Sequence, residues 1–316
     1  MTILNRNTET FLNLNRETFN SKLLLFGEYG LMFDAMALSV PFPKFQGCLD
    51  FDLDHSNSES TYEILMFYEH LKIGESYQHL HFPFNLERLE HDLSHGLYFN
   101  SNIPQQYGVG SSGALVAALF SRYAVYSASA IKETPELLKS DLALLESHFH
   151  GKSSGIDPLI SYLNQPLLLD SQKKIQTLQF DLSQTGLSIA LIDTNTVGST
   201  GPLVEHFIDR FNSLEFKSTF ERQFIPANNG CINALLNSKR SEFFLSLEQL
   251  ILFQLQQFQR MIPLNYHSII SDALKEKVFI KLLGSGGGGF LLAFAESEQK
   301  LIAWSDKESI PLLHVV

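Results

Sequence analysis

The chain has 316 residues, 44% of them hydrophobic and 18% charged, and carries a formal net charge of −11. So acidic a body repels nucleic acid and anionic membrane surfaces, which excludes both as expected partners and leaves any anionic ligand to be held by local groups. At this length a single core usually divides, so two lobes are expected, each with a share of the 26 phenylalanines to pack.

Cys48 and Cys231 are the only cysteines and lie far apart, which supports neither a disulfide framework nor a cysteine zinc site and fits a reducing cytoplasm. The opening MTILNRNTETFLNLNRETFN mixes Arg, Glu and Asn and has no apolar core of signal-peptide length. No window approaches the roughly 18 uninterrupted apolar residues of a membrane span, and a soluble protein is expected.

In chain order, KLLLF (residues 22–26) reads as a strand closed by Gly27. Residues 50–68 mix polar and apolar positions in strand-and-loop fashion, and PFNLERLEHDLSHGL (83–97) predicts a helix ended by Gly96. Leu115, Val116, Leu119, Tyr123 and Tyr126 recur at helical spacing. Thr134-Pro135 then opens another helix, with Leu138, Leu142, Leu145 and Phe149 as its buried stripe and Gly151 past its end. LSIALIDT (187–194) predicts a strand, several helices follow between Leu203 and Lys275, and VFIKLL, GSGGGG and FLLAFA (278–295) predict strand, glycine loop and strand. Strands and helices do not alternate strictly, so the expected class is α+β rather than a doubly wound sheet, with lobes of residues 1–180 and 181–316.

Three segments carry the chemistry. GVGSSGAL (108–115) contains Gly-x-Gly-x-x-Gly ahead of an apolar helix. A dinucleotide fold requires a buried strand before the first glycine and an acid about twenty positions after it. Glu133 meets the second condition, but the preceding SNIPQQ is polar and carries a proline. There is no lysine for a Walker A loop, and neither an HRD nor a DFG for a protein kinase. What remains is a serine-bearing loop at a helix N-terminus, where free backbone N–H groups attract phosphate, or a loop that merely permits close packing.

In ESHFHGKSSGID (146–157), Asp157 precedes Pro158 and reads as an N-cap that could also face a cleft. Glu146 stands in the last turn of its helix, against the dipole, and borders an apolar stripe; a cation partner and a surface salt bridge both account for it. His148 and His150 diverge on a helix and are not expected to ligate metal. GSGGGG (284–289) holds more glycine than a tight hairpin needs, which implies close approach of the backbone to another loop or to a ligand, or a flexible tip.

Together these segments resemble the GHMP small-molecule kinases, the superfamily of galacto-, homoserine, mevalonate and phosphomevalonate kinases. KLLLFGEYGLMFDAMALSVP (22–41) is similar to its Lys-x-x-Leu-x-Gly-Glu-His/Tyr opening, YGVGSSGA (107–114) to its Gly-Leu-Gly-Ser-Ser-Ala loop, and KLLGSGGGGF (281–290) to its glycine-rich closing motif. The three occur in order over some 270 residues. Glu146 and Asp157, with His150, Gly151, Ser154 and Gly155, resemble the mevalonate kinase segment His-Gly-x-Pro-Ser-Gly-x-Asp and its upstream acid, and STGPLV (199–204) is similar to that family's Ser-Thr-x-x-Leu-Val. Three features depart from the pattern. Ser153 replaces the proline, Tyr29 stands where mevalonate kinases usually have His, and Gln105-Gln106 replaces Pro-Gly. GEY and GSSGA are closer to phosphomevalonate kinase.

The resemblance implies a ribosomal S5 domain 2-like N-terminal lobe, a ferredoxin-like C-terminal lobe, and ATP and Mg²⁺ as cofactors. ATP phosphates would lie along Gly108, Val109, Gly110, Ser111, Ser112 and Gly113, with Mg²⁺ on Ser112 and Glu146. Asp157 would accept the proton of a primary hydroxyl, and Lys22 would neutralise charge beside it. Glu28, Ser154 and Thr200 would contact substrate or its neighbours along with Lys22 and Asp157, and Gly284, Gly286, Gly287 and Gly288 would form the closing loop. The expected partner is a small molecule, with mevalonate first among acceptors; a homodimer is permitted. Competing readings are a phosphomevalonate or other GHMP kinase, a catalytically silent ligand sensor of the same fold, and an NAD-dependent dehydrogenase.

Overall fold

The computed structural model describes residues 17–52, 56–126 and 134–316. Most of the polar opening segment and Glu133 lie outside the described residues. Strand β1 (Phe19–Phe26) contains the KLLLF run, and the long β2 (Ala37–Phe51) follows a connection over residues 27–36 that includes a 3-10 helix at Gly30–Met32. Residues read as strand and loop are in part a helix, α1 (Ser58–Ile73): Ile64, Phe67, Tyr68 and Leu71 fall at helical spacing on one buried face, a periodicity hidden by the apolar side chains on the outer face. Helix α2 (Leu86–Ser94) starts at Asn85, whose side chain accepts the Arg88 N–H, and leads through Gly96 into β3 (Leu97–Ser101).

Helix α3 (Ser111–Tyr123) leaves the glycine loop and is buried on nearly every side from Gly113 to Phe120. Helix α4 (Pro135–His150) buries Leu138, Leu142 and Leu145 and stops at Gly151, whose φ of 74° only glycine adopts freely. Helix α5 (Ile156–Leu163) precedes the short strands β4 (Leu167–Leu169) and β5 (Ile175–Thr177) and then β6 (Ser188–Asp193). The helical stretch comprises α6 (Thr200–Phe211), α7 (Leu214–Thr219), α8 (Ile225–Leu236), α9 (Arg240–Gln257) and α10 (Tyr266–Lys275). Strands β7 (Phe279–Leu282) and β8 (Phe290–Ala295) flank the second glycine loop, and α11 (Glu298–Glu308) and β9 (Leu312–His314) close the chain.

Two sheets organise these elements. One has the order β1-β2-β4-β5 with β3 also on β2; the other has the order β7-β8-β6-β9. In the second, β6, the helices α6–α10, β7, β8, α11 and β9 make the split β-α-β arrangement of a ferredoxin-like layer, and its strands pair antiparallel, with Ile189 opposite Phe294 and Ile280 opposite Ala293. The class is α+β.

The described residues form two compact units, each drawn from three stretches: those within 17–20, 44–103 and 112–162 in the first, and within 21–43, 104–111 and 163–316 in the second. The expected cut near residue 180 is contiguous, whereas the observed units are not. Strand pairing is the physical reason, since Ala37 to Ser39 take their ladder partners from Leu167 to Leu169, far along the chain. In the first unit Phe67, Phe82, Phe84 and Phe120 interlock edge to face. In the second, Phe207, Phe220, Phe224, Phe253 and Phe258 form one aromatic core.

Candidate active site

In the first unit the start of α3, the end of α4 and the start of α5 meet. Gly113 packs so tightly on α5 that a Cβ there would lie 2.8 Å from the Asp157 carbonyl carbon and 2.9 Å from the Pro158 nitrogen. One residue earlier, the Ser112 hydroxyl donates to Glu146 Oε1 at 3.1 Å. The Ser153 hydroxyl donates to Glu146 Oε2. The acid that the sequence marks as misplaced is therefore buried and carries a serine hydroxyl on each oxygen. The sequence assigns Ser153 no role beyond departing from a motif, and its only signal there is a hydroxyl seven positions after that acid, just past the end of the helix.

The loop after α4 fixes Asp157. Ser153 Oγ accepts the Gly155 N–H at 2.9 Å and Ser154 Oγ accepts the Ile156 N–H at 3.3 Å. Gly155 lies where a Cβ would come within 2.4 Å of the Lys139 carbonyl oxygen, so this turn approaches α4 as only glycine permits. Asp157 is not the N-cap read from sequence. The helix begins at Ile156, and the Gly155 carbonyl accepts the Leu159 N–H at 3.2 Å. The half-buried aspartate thus sits inside the first turn, where the helix dipole favours a negative charge. Ser154 is exposed.

The second unit holds the other candidates. Lys22 is buried in β1, and its backbone N–H donates to the Val109 carbonyl at 3.0 Å, tying the strand to the first glycine loop. Gly108 and Gly110 have φ of 79° and 81°, and a Cβ on Gly108 would lie 3.0 Å from the Leu283 carbonyl oxygen. The closing loop is packed as closely. A Cβ on Gly288 would lie 2.7 Å from Thr196 O, one on Gly289 2.6 Å from Tyr107 Cα, and one on Gly284 3.4 Å from Gly108 Cα. The Gly289 N–H donates to Thr196 O at 2.7 Å. The surplus glycine lets three backbone loops lie against one another.

Thr200 Oγ1 is 2.9 Å from Ser285 Oγ, and the Tyr29 hydroxyl donates to the Ser285 carbonyl at 2.6 Å, so the segment at α6, the opening motif and the closing loop share one serine. Tyr29 also stacks on Phe207 with ring centroids 4.6 Å apart. Glu28 is closed to solvent and ion-paired with the equally buried Lys281. Burial pushes the Glu28 carboxyl above its ordinary range, against the pull of Lys281 and Lys22, and pushes the Lys281 amine down against the pull of Glu28. Lys281 had no assigned role, although it is the lone charge in the apolar run VFIKLL.

Among the described residues no group of three or more His, Cys, Asp and Glu side chains could hold a metal ion. The His148 ring is half-buried against His70 and Phe67, and burial together with His70 lowers its pKa, as suits a packed neutral imidazole. A hydroxyl and one carboxylate are a different donor set. Ser112 and Glu146 present hard oxygens at the mouth of a helix N-terminus, which fits Mg²⁺, an ion that takes one or two protein oxygens and completes its shell with water and phosphate. The positive-φ glycines ahead of α3 fit the phosphates themselves.

Residues 75–165 match the family model described as the GHMP kinases N-terminal domain. No curated protein matches the chain in sequence. Among solved structures, the chain is similar to L. major mevalonate kinase in complex with R-mevalonate, at 16% identity over 96% of this chain and 95% of that one, with a TM-score of 0.65. It is also similar to Streptococcus pneumoniae phosphomevalonate kinase in complex with phosphomevalonate and AMPPNP, at 14% identity over 95% and 98% of the two chains, TM-score 0.61. Lactococcus lactis galactokinase complexed with galactose matches at 14% identity over 100% and 98%, TM-score 0.60. No helix among the described residues is long and apolar enough to cross a membrane.

Proposed function

We propose, from a chain that carries the N-terminal domain of the GHMP kinases and has their fold, that it is an ATP-dependent kinase acting on the primary hydroxyl of a small molecule, with mevalonate as the acceptor. One observation carries the reading. A buried acid, Glu146, is hydrogen-bonded by the hydroxyl at the N-terminus of the glycine-loop helix, whose next residue packs directly on the turn bearing Asp157.

The roles follow from the chemistry of each group. Backbone N–H groups from Gly108 to Gly113 and the N-terminal end of α3 bind phosphate oxygens. Ser112 and Glu146 hold Mg²⁺, which when bound neutralises phosphate charge and polarises the transferred group. Asp157 accepts the acceptor hydroxyl's proton or orients that hydroxyl, and Lys22 supplies positive charge for the developing transition state. Thr200 and Ser154 are assigned to the acceptor. Glu28 serves by fixing Lys281 and the Gly-Glu-Tyr turn, since its own carboxylate is closed to solvent. Phosphomevalonate is the second acceptor considered, because Tyr29 and GSSGA are closer to its kinase. A cytoplasmic enzyme of isoprenoid synthesis is the setting these assignments suit.

The test is coupled ADP release with ATP and Mg²⁺ and, separately, mevalonate, phosphomevalonate, galactose and homoserine. Turnover on mevalonate supports the reading, turnover on phosphomevalonate replaces the acceptor while keeping the residue roles, and absence of ADP from all four overturns it.

A further inference from the structure

We infer that Ser153 is a positioning residue for the metal acid, a role that rests on the kinase reading above. The Ser153 hydroxyl donates to Glu146 Oε2 while Ser112 donates to Oε1, so the two carboxylate oxygens are differentiated by separate elements. The Ser153 proton has a set direction. Its oxygen already accepts the Gly155 N–H at 2.9 Å, which leaves the O–H to point at the carboxylate.

The serine is itself fixed. Gly155 is wedged against α4, with the Lys139 carbonyl oxygen and the Ala143 nitrogen within 2.4 Å and 3.0 Å of where a Cβ would stand. Ser153 therefore bridges the helix that carries Glu146 and the turn that opens the Asp157 helix. A proline, the residue of the similar motif, has no hydroxyl and makes no such bridge. Partners that orient a ligating carboxylate set both its rotamer and its basicity, and losing one typically lowers metal affinity or activity by about 10- to 100-fold. In this chain Ser153 holds Glu146 with one oxygen turned toward Ser112, where a cation can be shared, and keeps the other oxygen engaged.

The experiment measures, by calorimetry on the full chain, the affinity of a non-hydrolysable ATP analogue with Mg²⁺ and with excess EDTA, for the wild type, Ser153→Ala and Ser153→Thr. The expected result is a Mg²⁺-dependent tightening in the wild type that shrinks by roughly 10-fold in Ser153→Ala and is retained in Ser153→Thr, with EDTA affinities equal throughout. A merely structural role would lower both affinities together or only the melting temperature. Full Mg²⁺-dependent tightening in Ser153→Ala, with a normal melting temperature, overturns the proposal and leaves the kinase reading standing. A wild type that binds the analogue without Mg²⁺ dependence, or not at all, overturns both.

Discussion

Glu28 and Lys281, 253 positions apart in the chain, form an ion pair in which neither side chain has any solvent exposure. The pair joins the turn after β1 to β7 within one unit. Such pairs contribute little net stability when complete, yet removing one partner strands a charge, at a cost of about 3–5 kcal/mol.

Lys281→Met is expected to show that cost with a defined pH dependence. Burial already holds the Glu28 carboxyl above its ordinary value of 4.5, and Lys281 is the largest influence pulling it down, so the variant's carboxyl rises further. A carboxyl raised in the native state gives stability that is present in full below the unfolded value and is lost as pH rises through the native value. Urea unfolding should therefore find a smaller defect near about pH 5 than near about pH 7.5, and a Glu28→Gln/Lys281→Met double variant should recover most of it. A defect independent of pH would mean that the carboxylate regains solvent in the variant.

Asp157→Asn keeps shape and removes the base. Turnover should fall by about 10²–10⁴-fold, as for loss of a general base, while calorimetric affinity for Mg²⁺ and the ATP analogue stays within about 2-fold. A variant that turns over at the wild-type rate would remove Asp157 from the chemistry.

Gly113→Ala installs the residue of the similar phosphate-loop motif, and here it is expected to do harm. The added Cβ would stand 2.8–2.9 Å from backbone atoms of Asp157 and Pro158, which are not free to swing aside. Overpacking of this kind costs about 1–3 kcal/mol, and a displacement of the Asp157 turn by about 1 Å lowers turnover by about 100-fold. Thermal unfolding and steady-state assays read the two effects separately, and an unchanged kcat would show that α5 gives way without moving its aspartate.

Gln106 tests the loop that precedes the glycines. Its φ is 62°, a left-handed conformation that glycine adopts freely and β-branched residues resist. Gln106→Gly exchanges relief of strain for a more flexible unfolded chain and should change stability by less than about 1 kcal/mol, whereas Gln106→Val should cost about 1–3 kcal/mol. Equal stability of the two variants, by chemical denaturation, would indicate that the loop relaxes to a negative φ.

The local features were legible because their causes are local. The apolar run of β1, the stripe and stop of α4, the helix leaving GVGSSGAL and the two strands around GSGGGG follow from residues within a few positions of one another. Helix α1 was missed because its outer face carries Tyr62, Leu65, Met66 and Ile73, which blur the 3.6-residue period. Composition and residue order alone establish the α+β class, the net negative charge, and Glu146 as an acid set against its helix dipole. Three-dimensional packing alone reveals that Ser153 supplies one of the Glu146 hydrogen bonds, that the surplus glycines pack loop against loop, and that Glu28 is sealed against Lys281. Each of those outcomes depends on through-space distances between residues of separate elements, and hydroxyl direction, burial and backbone approach have no counterpart in the spacing of residues along the chain.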